Sequence, residues 1–94
     1  MFIATLKFAD RSRASQFMEG HNNWLRRGFD DGVFLLAGSL QPGLGGVILA
    51  NNLSKADLEA RVQEDPFVVE GVVTAEILDV APARIDERLA FLKG

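Results

Sequence analysis

Apolar and polar residues alternate from Phe2 to Phe8, with Phe2, Ala4, Leu6 and Phe8 set against Ile3, Thr5 and Lys7. This period of two predicts a first strand with one strongly apolar face. The pattern then changes to a helical one. Ala14, Phe17, Met18, Trp24, Leu25 and Gly28 collect on one side of a helix that runs to about Arg27, started by Asp10 or Ser12 as cap. Gly28 and Gly32 bracket the helix exit, with Asp30 and Asp31 in the turn. Val33 to Leu40 is apolar on both alternating faces, which predicts a central strand. Gln41 to Gly45 is turn chemistry, and Gly46 to Ala50 is the strand returning from it. Ser54, with Asp57 three residues on, opens a second helix as a shortened capping box. That helix is expected to end at Glu64 or Asp65, because Pro66 disfavours α geometry in the residue before it. Phe67 to Glu70 reads as a connector, Gly71 to Val80 as a fourth strand, and Arg84 to Leu92 as a short terminal helix with a stripe of Ile85, Leu89 and Leu92.

The order is β-α-β-β-α-β, which predicts an α+β, ferredoxin-like fold: a four-stranded antiparallel sheet with two helices on one face and a short C-terminal helix. The whole of residues 1–94 forms one domain, with no repeat, low-complexity tract or linker. Two helices cover one face only, yet the second and third strands are apolar on both. A second copy of the chain is therefore expected against the other face, as a homodimer with twofold symmetry or a higher homo-oligomer.

Two polar residues interrupt the apolar stripes. His21 is centred on that of the first helix, with Phe17 and Leu25 roughly 40° to either side at about 100° per residue. Asp65 continues the stripe of Leu58 and Val62 on the second helix, where it opposes the negative end of the helix dipole. Each alone has a plainer reading, a satisfied core histidine and a turn-capping aspartate. Together, on two helices over one sheet face, they can meet. A carboxylate partner orients an imidazole and fixes its tautomer, which equips it for general acid or base work. The competing structural reading is a buried ion pair of little net stability.

Other side chains are candidates for binding a substrate. Ser39 at the end of the second strand is placed to face a pocket, or to serve as a turn residue; the sequence GSL lacks the pattern of a nucleophile elbow. Trp24 and Phe67 are candidates for an aromatic lining, although aromatics at helical spacing are more often core. Lys7 is a candidate for holding an anion, with a snorkelling surface lysine as the plainer reading. Gly43, Gly45 and Gly46 lack the spacing of a phosphate loop, and Glu64, Glu70 and Glu76 form no carboxylate pair.

Composition narrows the classes further. A formal net charge of -3, with no cluster of Lys or Arg, argues against a nucleic-acid partner. Zero cysteines and a single histidine leave little with which to build a metal site, and no cofactor is called for. The opening MFIATLKFADRSR has no signal layout and no window suits a membrane span, so a cytoplasmic protein with no membrane partner is expected.

His21, the LLAGSL strand, the glycine-bearing hairpin into GGVILA, the helix ADLEARVQEDPF and the GVV strand resemble the YCII-related (YciI-like) family in the same order, over Met1 to about Val80. The most specific element is Asp65-Pro66-Phe67 joined to a histidine in the first helix. The resemblance implies a dimeric α+β barrel related to muconolactone isomerase-like proteins, with a histidine and aspartate pair in a pocket, matched here by His21 and Asp65. Ser39 departs from it, since many relatives carry proline after the AG pair, and the segment beyond Pro82 matches no motif. The expected function is that of a cofactor-independent enzyme performing isomerase or lyase-type proton transfer on a small organic metabolite, with cyclic or aromatic breakdown products as one class. The alternative is a non-catalytic ligand-binding or interaction domain. Haem or oxygen chemistry, seen elsewhere among such barrels, rests on fold analogy alone and ranks below both.

Overall fold

A computed structural model describes residues 1–93; Gly94, the last residue of the expected domain, lies outside them. Four strands, β1 (Phe2–Phe8), β2 (Phe34–Leu40), β3 (Gly45–Ala50) and β4 (Val73–Asp79), form one antiparallel sheet in the order β2-β3-β1-β4. Helices α1 (Ala14–Asp30) and α2 (Lys55–Val62) and the one-turn α3 (Pro66–Val69) complete the β-α-β-β-α-β plan. The fold expected from the periodicities is the fold observed.

The pairing register decides which side chains face the helices. Phe2, Ala4 and Leu6 of β1 point inward with Ile48 and Ala50 of β3, Phe34 of β2 and Val73 of β4, and all of these are buried. Trp24 from α1 fills the centre of this layer. Its ring meets Phe34 edge-on at 5.1 Å, and its Nε1 donates to the Arg61 carbonyl at 2.9 Å, tying α1 to α2. Burying an indole of this size stabilises the fold by roughly 2 to 3 kcal/mol, and the N–H partner removes the cost of desolvating its polar edge.

Several expectations are corrected. β2 is an edge strand, not a central one; β1 and β3 take the centre, because the split plan inserts β1 between β3 and β4. Its two-sided apolar pattern therefore leaves Leu36 at 52% exposed in the single chain. With Leu78 of β4 and the half-buried Ile3, Val47 and Leu49, it forms an apolar sheet face opposite to the one that carries Phe2, Ala4 and Leu6. Helix α1 continues to Asp30, so Gly28 lies inside it rather than at its exit. A methyl group added at Gly28 would stand 2.0 Å from the Phe34 ring, which explains a poor helix former at that position. The left-handed turn falls at Gly32, with φ of 73°. Neither Asp10 nor Ser12 caps α1 through its side chain: Ser12 Oγ donates to Asp10 Oδ1, and a turn of 3₁₀ helix over Arg11–Arg13 leads in. Ser54 does cap α2, accepting from the Asp57 amide at 3.0 Å. The C-terminal segment forms 3₁₀ turns over Glu87–Lys93, broken at Leu89, rather than a regular helix; of its apolar stripe only Leu92 is buried. Among the described residues no helix is long and apolar enough to cross a membrane.

Candidate functional site

The placement of Asp65 follows from Pro66, although not in the way the helical stripe suggested. The residue before proline is driven to extended geometry. Helix α2 accordingly closes at Val62, and Asp65, with φ of -65° and ψ of 122°, becomes the N-cap of a new helix, α3, that has Pro66 in its first position. Its carboxylate thus lies at the amide end of α3, where Oδ1 accepts from the Phe67 amide at 3.0 Å, and not against the carbonyl end of α2. The unfavourable dipole expected from the sequence is offset by this capping geometry, which is a favourable one. The expected connector from Phe67 is this helix.

Helix α3 approaches α1 closely because Gly20 has no side chain. A methyl group there would meet Pro66 Cγ at 3.0 Å. One residue further along α1, His21 Nδ1 donates to Asp65 Oδ1 at 2.9 Å. The Asp65 side chain is 0% exposed and that of His21 is 12% exposed. A carboxylate oxygen accepts, so the bond places the proton on Nδ1 and leaves Nε2 as the basic nitrogen. The imidazole stacks on Phe67, with centroids 4.0 Å apart and planes 6° from parallel, and Trp24 flanks it at 5.9 Å. The ring is thus held in plane by Phe67 and in rotation by Asp65. The second carboxylate oxygen, Oδ2, is buried and accepts no hydrogen bond among the described residues. Such a group is costly in an apolar setting, so local stability alone does not account for it.

His21 opens on a cavity of about 300 Å³ between α1 and the sheet. Of the candidates named from the sequence, His21, Ser39 and Phe67 line this cavity. Asp65 lies directly behind His21. Trp24 does not reach it and belongs to the core, at 1% exposed. Lys7 projects from the opposite face of β1 to the inward-pointing Leu6 and is solvent-exposed. Asn22 also lines the cavity, although the sequence reading passed over it. The signal was present: Asn22 is four residues after Met18 and three before Leu25, so it shares their side of α1. The floor is made by one row of the sheet, Leu6 on β1, Gly46 on β3 and Ser39 on β2, in register.

No family profile matches the chain, and no curated protein matches it in sequence. Among solved structures the chain is similar to 5-chloro-2-hydroxyhydroquinone dehydrochlorinase (TftG) from Burkholderia phenoliruptrix AC1100, determined in complex with 2,5-dihydroxybenzoquinone. The likeness has a TM-score of 0.63 at 13% identity and covers 85% of this chain and 93% of that one. At this identity it shows a shared fold alone, and the chemistry of this chain has to be argued from its own residues.

Proposed function

We propose that this chain is a small-molecule enzyme of the YCII-like kind, working as a cytoplasmic homodimer, in which His21 transfers a proton and Asp65 holds and charge-balances it. The observation that carries the reading is the 2.9 Å bond from Nδ1 to a wholly buried carboxylate, made by a histidine that lines a cavity. Nε2 accepts a proton from a C–H or O–H of the substrate. The imidazolium that forms is balanced by the adjacent carboxylate. The proton is then returned at a neighbouring atom, giving an isomer, or leaves with a departing group, giving a lyase-type product. Proton transfer of this kind contributes about 10²- to 10⁴-fold, and the cavity supplies the rest by positioning. That the similar fold of TftG belongs to a dehydrochlorinase of a small ring compound is in keeping with this class of reaction. The open apolar face with Leu36 and Leu78 supports pairing with a second copy.

The test is a metabolite library incubated with the protein and read for altered mass or absorbance, followed by His21→Gln. Gln keeps a polar side chain of similar reach but transfers no proton. Turnover should fall about 10²- to 10⁴-fold while ligand affinity changes less than about threefold. A library compound that binds in the cavity and is returned unaltered by the parent protein would instead establish a binding domain without turnover.

A further inference from the structure

We infer that the cavity takes an uncharged ligand bearing a hydroxyl or carbonyl group, and that Asn22 and Ser39 are the residues that select it. This deepens the reading of the same site given above. The lining includes three polar side chains, His21, Asn22 and Ser39, and no Lys, Arg, Asp or Glu among the described residues. The rest of the wall is apolar, from Leu6, Met18 and Leu25 among others, or bare backbone. A carboxylate or phosphate entering here would lose its hydration and find no cationic side chain in the lining, while the buried carboxylate of Asp65 stands behind His21. An isolated ion in such surroundings is far more costly than a hydroxyl or carbonyl that finds one hydrogen bond. The guanidinium of Arg11 does not alter this. It lies over the Phe8 ring at 5.3 Å, donates to the Gly43 carbonyl at 3.1 Å, and is absent from the lining.

The two selecting groups come from opposite walls. Asn22 projects from α1 next to His21, and Ser39 stands on β2 at the end of the floor row. Both residues are exposed to solvent, which leaves the amide and the hydroxyl open to a ligand. Between Ser39 and Leu6 the floor is Gly46, where an added methyl group would come within 3.4 Å of the Gly38 carbonyl oxygen. A flat molecule can therefore lie against backbone under the imidazole. One of its oxygens bonds Ser39 and another bonds Asn22, while its acidic hydrogen faces Nε2. An amide offers both donors and an acceptor and a hydroxyl offers one of each, so the pair accommodates hydroxyl and carbonyl oxygens alike.

The experiment is an amide NMR titration of the full chain with two matched pairs of probes, resorcinol against 2,4-dihydroxybenzoate and 2-cyclohexenone against 1-cyclohexenecarboxylate. Each neutral probe is expected to shift the Ser39 and Gly46 backbone amides with an affinity at least about tenfold above that of its anionic counterpart. Asn22→Ala and Ser39→Ala should each weaken resorcinol, which has two oxygens, about two- to tenfold, the loss of one hydrogen bond, and one of the two variants should weaken the single-oxygen 2-cyclohexenone by the same factor. Ala at position 22 is the better helix former, so that variant keeps its fold. Equal or tighter binding of the anions, no shift with either neutral probe, or unchanged affinity in both variants overturns the inference. Because binding is read without turnover, this result is independent of the His21→Gln outcome: selection of neutral probes with no effect of His21 on any reaction would refute the catalytic reading alone.

Discussion

Replacement of Asp65 by Ala separates the two tasks of one oxygen atom. Oδ1 accepts from the Phe67 amide and from His21 Nδ1, at 3.0 and 2.9 Å, inside a residue with no exposure. Losing the cap costs about 1 kcal/mol. Leaving the imidazole Nδ1–H without its buried, charge-assisted partner costs a further 1.5 to 3 kcal/mol, less whatever is regained by no longer burying the unpartnered Oδ2. The expected total is about 3 kcal/mol, or roughly 12 to 24 °C in Tm for a domain of this size. Asn at position 65 keeps an acceptor for both donors without the charge, and should cost about 1 to 2 kcal/mol. In a His21→Ala background the imidazole is absent, so Asp65→Ala should cost only about 1 kcal/mol, the cap. The assay is urea unfolding of the four proteins of this cycle at one fixed protein concentration, since a dimer makes stability concentration-dependent. A coupling energy below about 0.5 kcal/mol would mean that the His21–Asp65 bond has no energetic content, and the argument for a preorganised site would fail with it.

Gly28→Ala drives a methyl group into the Phe34 ring and should destabilise by about 1 to 3 kcal/mol despite the higher helix propensity of Ala, as read by thermal unfolding. Leu36→Glu, at a position 52% exposed in one chain, should leave the monomer folded but abolish pairing, converting a dimer to a monomer in sedimentation velocity at low micromolar concentration; a parent protein that is already monomeric refutes the dimer. The Asp86 carboxyl is held below the ordinary aspartate value, first by the Arg88 side chain and then by the Arg88 amide. The stabilisation from this bonding is present above the ordinary value and disappears as pH falls through the lowered one, and carboxyl NMR should show the midpoint rising in Arg88→Ala.

The parts legible in the sequence are those where a local rule and the tertiary fold agree. Alternation in Phe2–Phe8 fixed both the strand and its inward face, and Ser54 with Asp57 located the start of α2. The pairing of His21 with Asp65 was legible because two polar residues interrupted two apolar stripes. Extrapolating the α2 stripe across Pro66 puts the Asp65 carboxylate at the wrong end of a helix, because the proline starts a new one there. The place of β2 is not legible because a two-sided apolar strand has the same pattern at the centre of a sheet and at its edge. The site's minor members depended on facts that periodicity does not hold. Lys7 and Leu6 are neighbours in sequence and point to opposite faces, Trp24 is held in the core by the Arg61 carbonyl, and Asn22 enters the cavity from the shoulder of the helix rather than from its centre.

Because a single oxygen both starts α3 and aims the imidazole, order in that turn and readiness of the site are coupled. The Phe67 amide and the His21 ring share one acceptor, so a motion of the Asp65 carboxylate disturbs both bonds. Hydrogen exchange at that amide therefore reads the carboxylate: an opening that displaces Asp65 frees the Phe67 N–H and the ring together, and a ligand that holds the carboxylate in place slows the exchange.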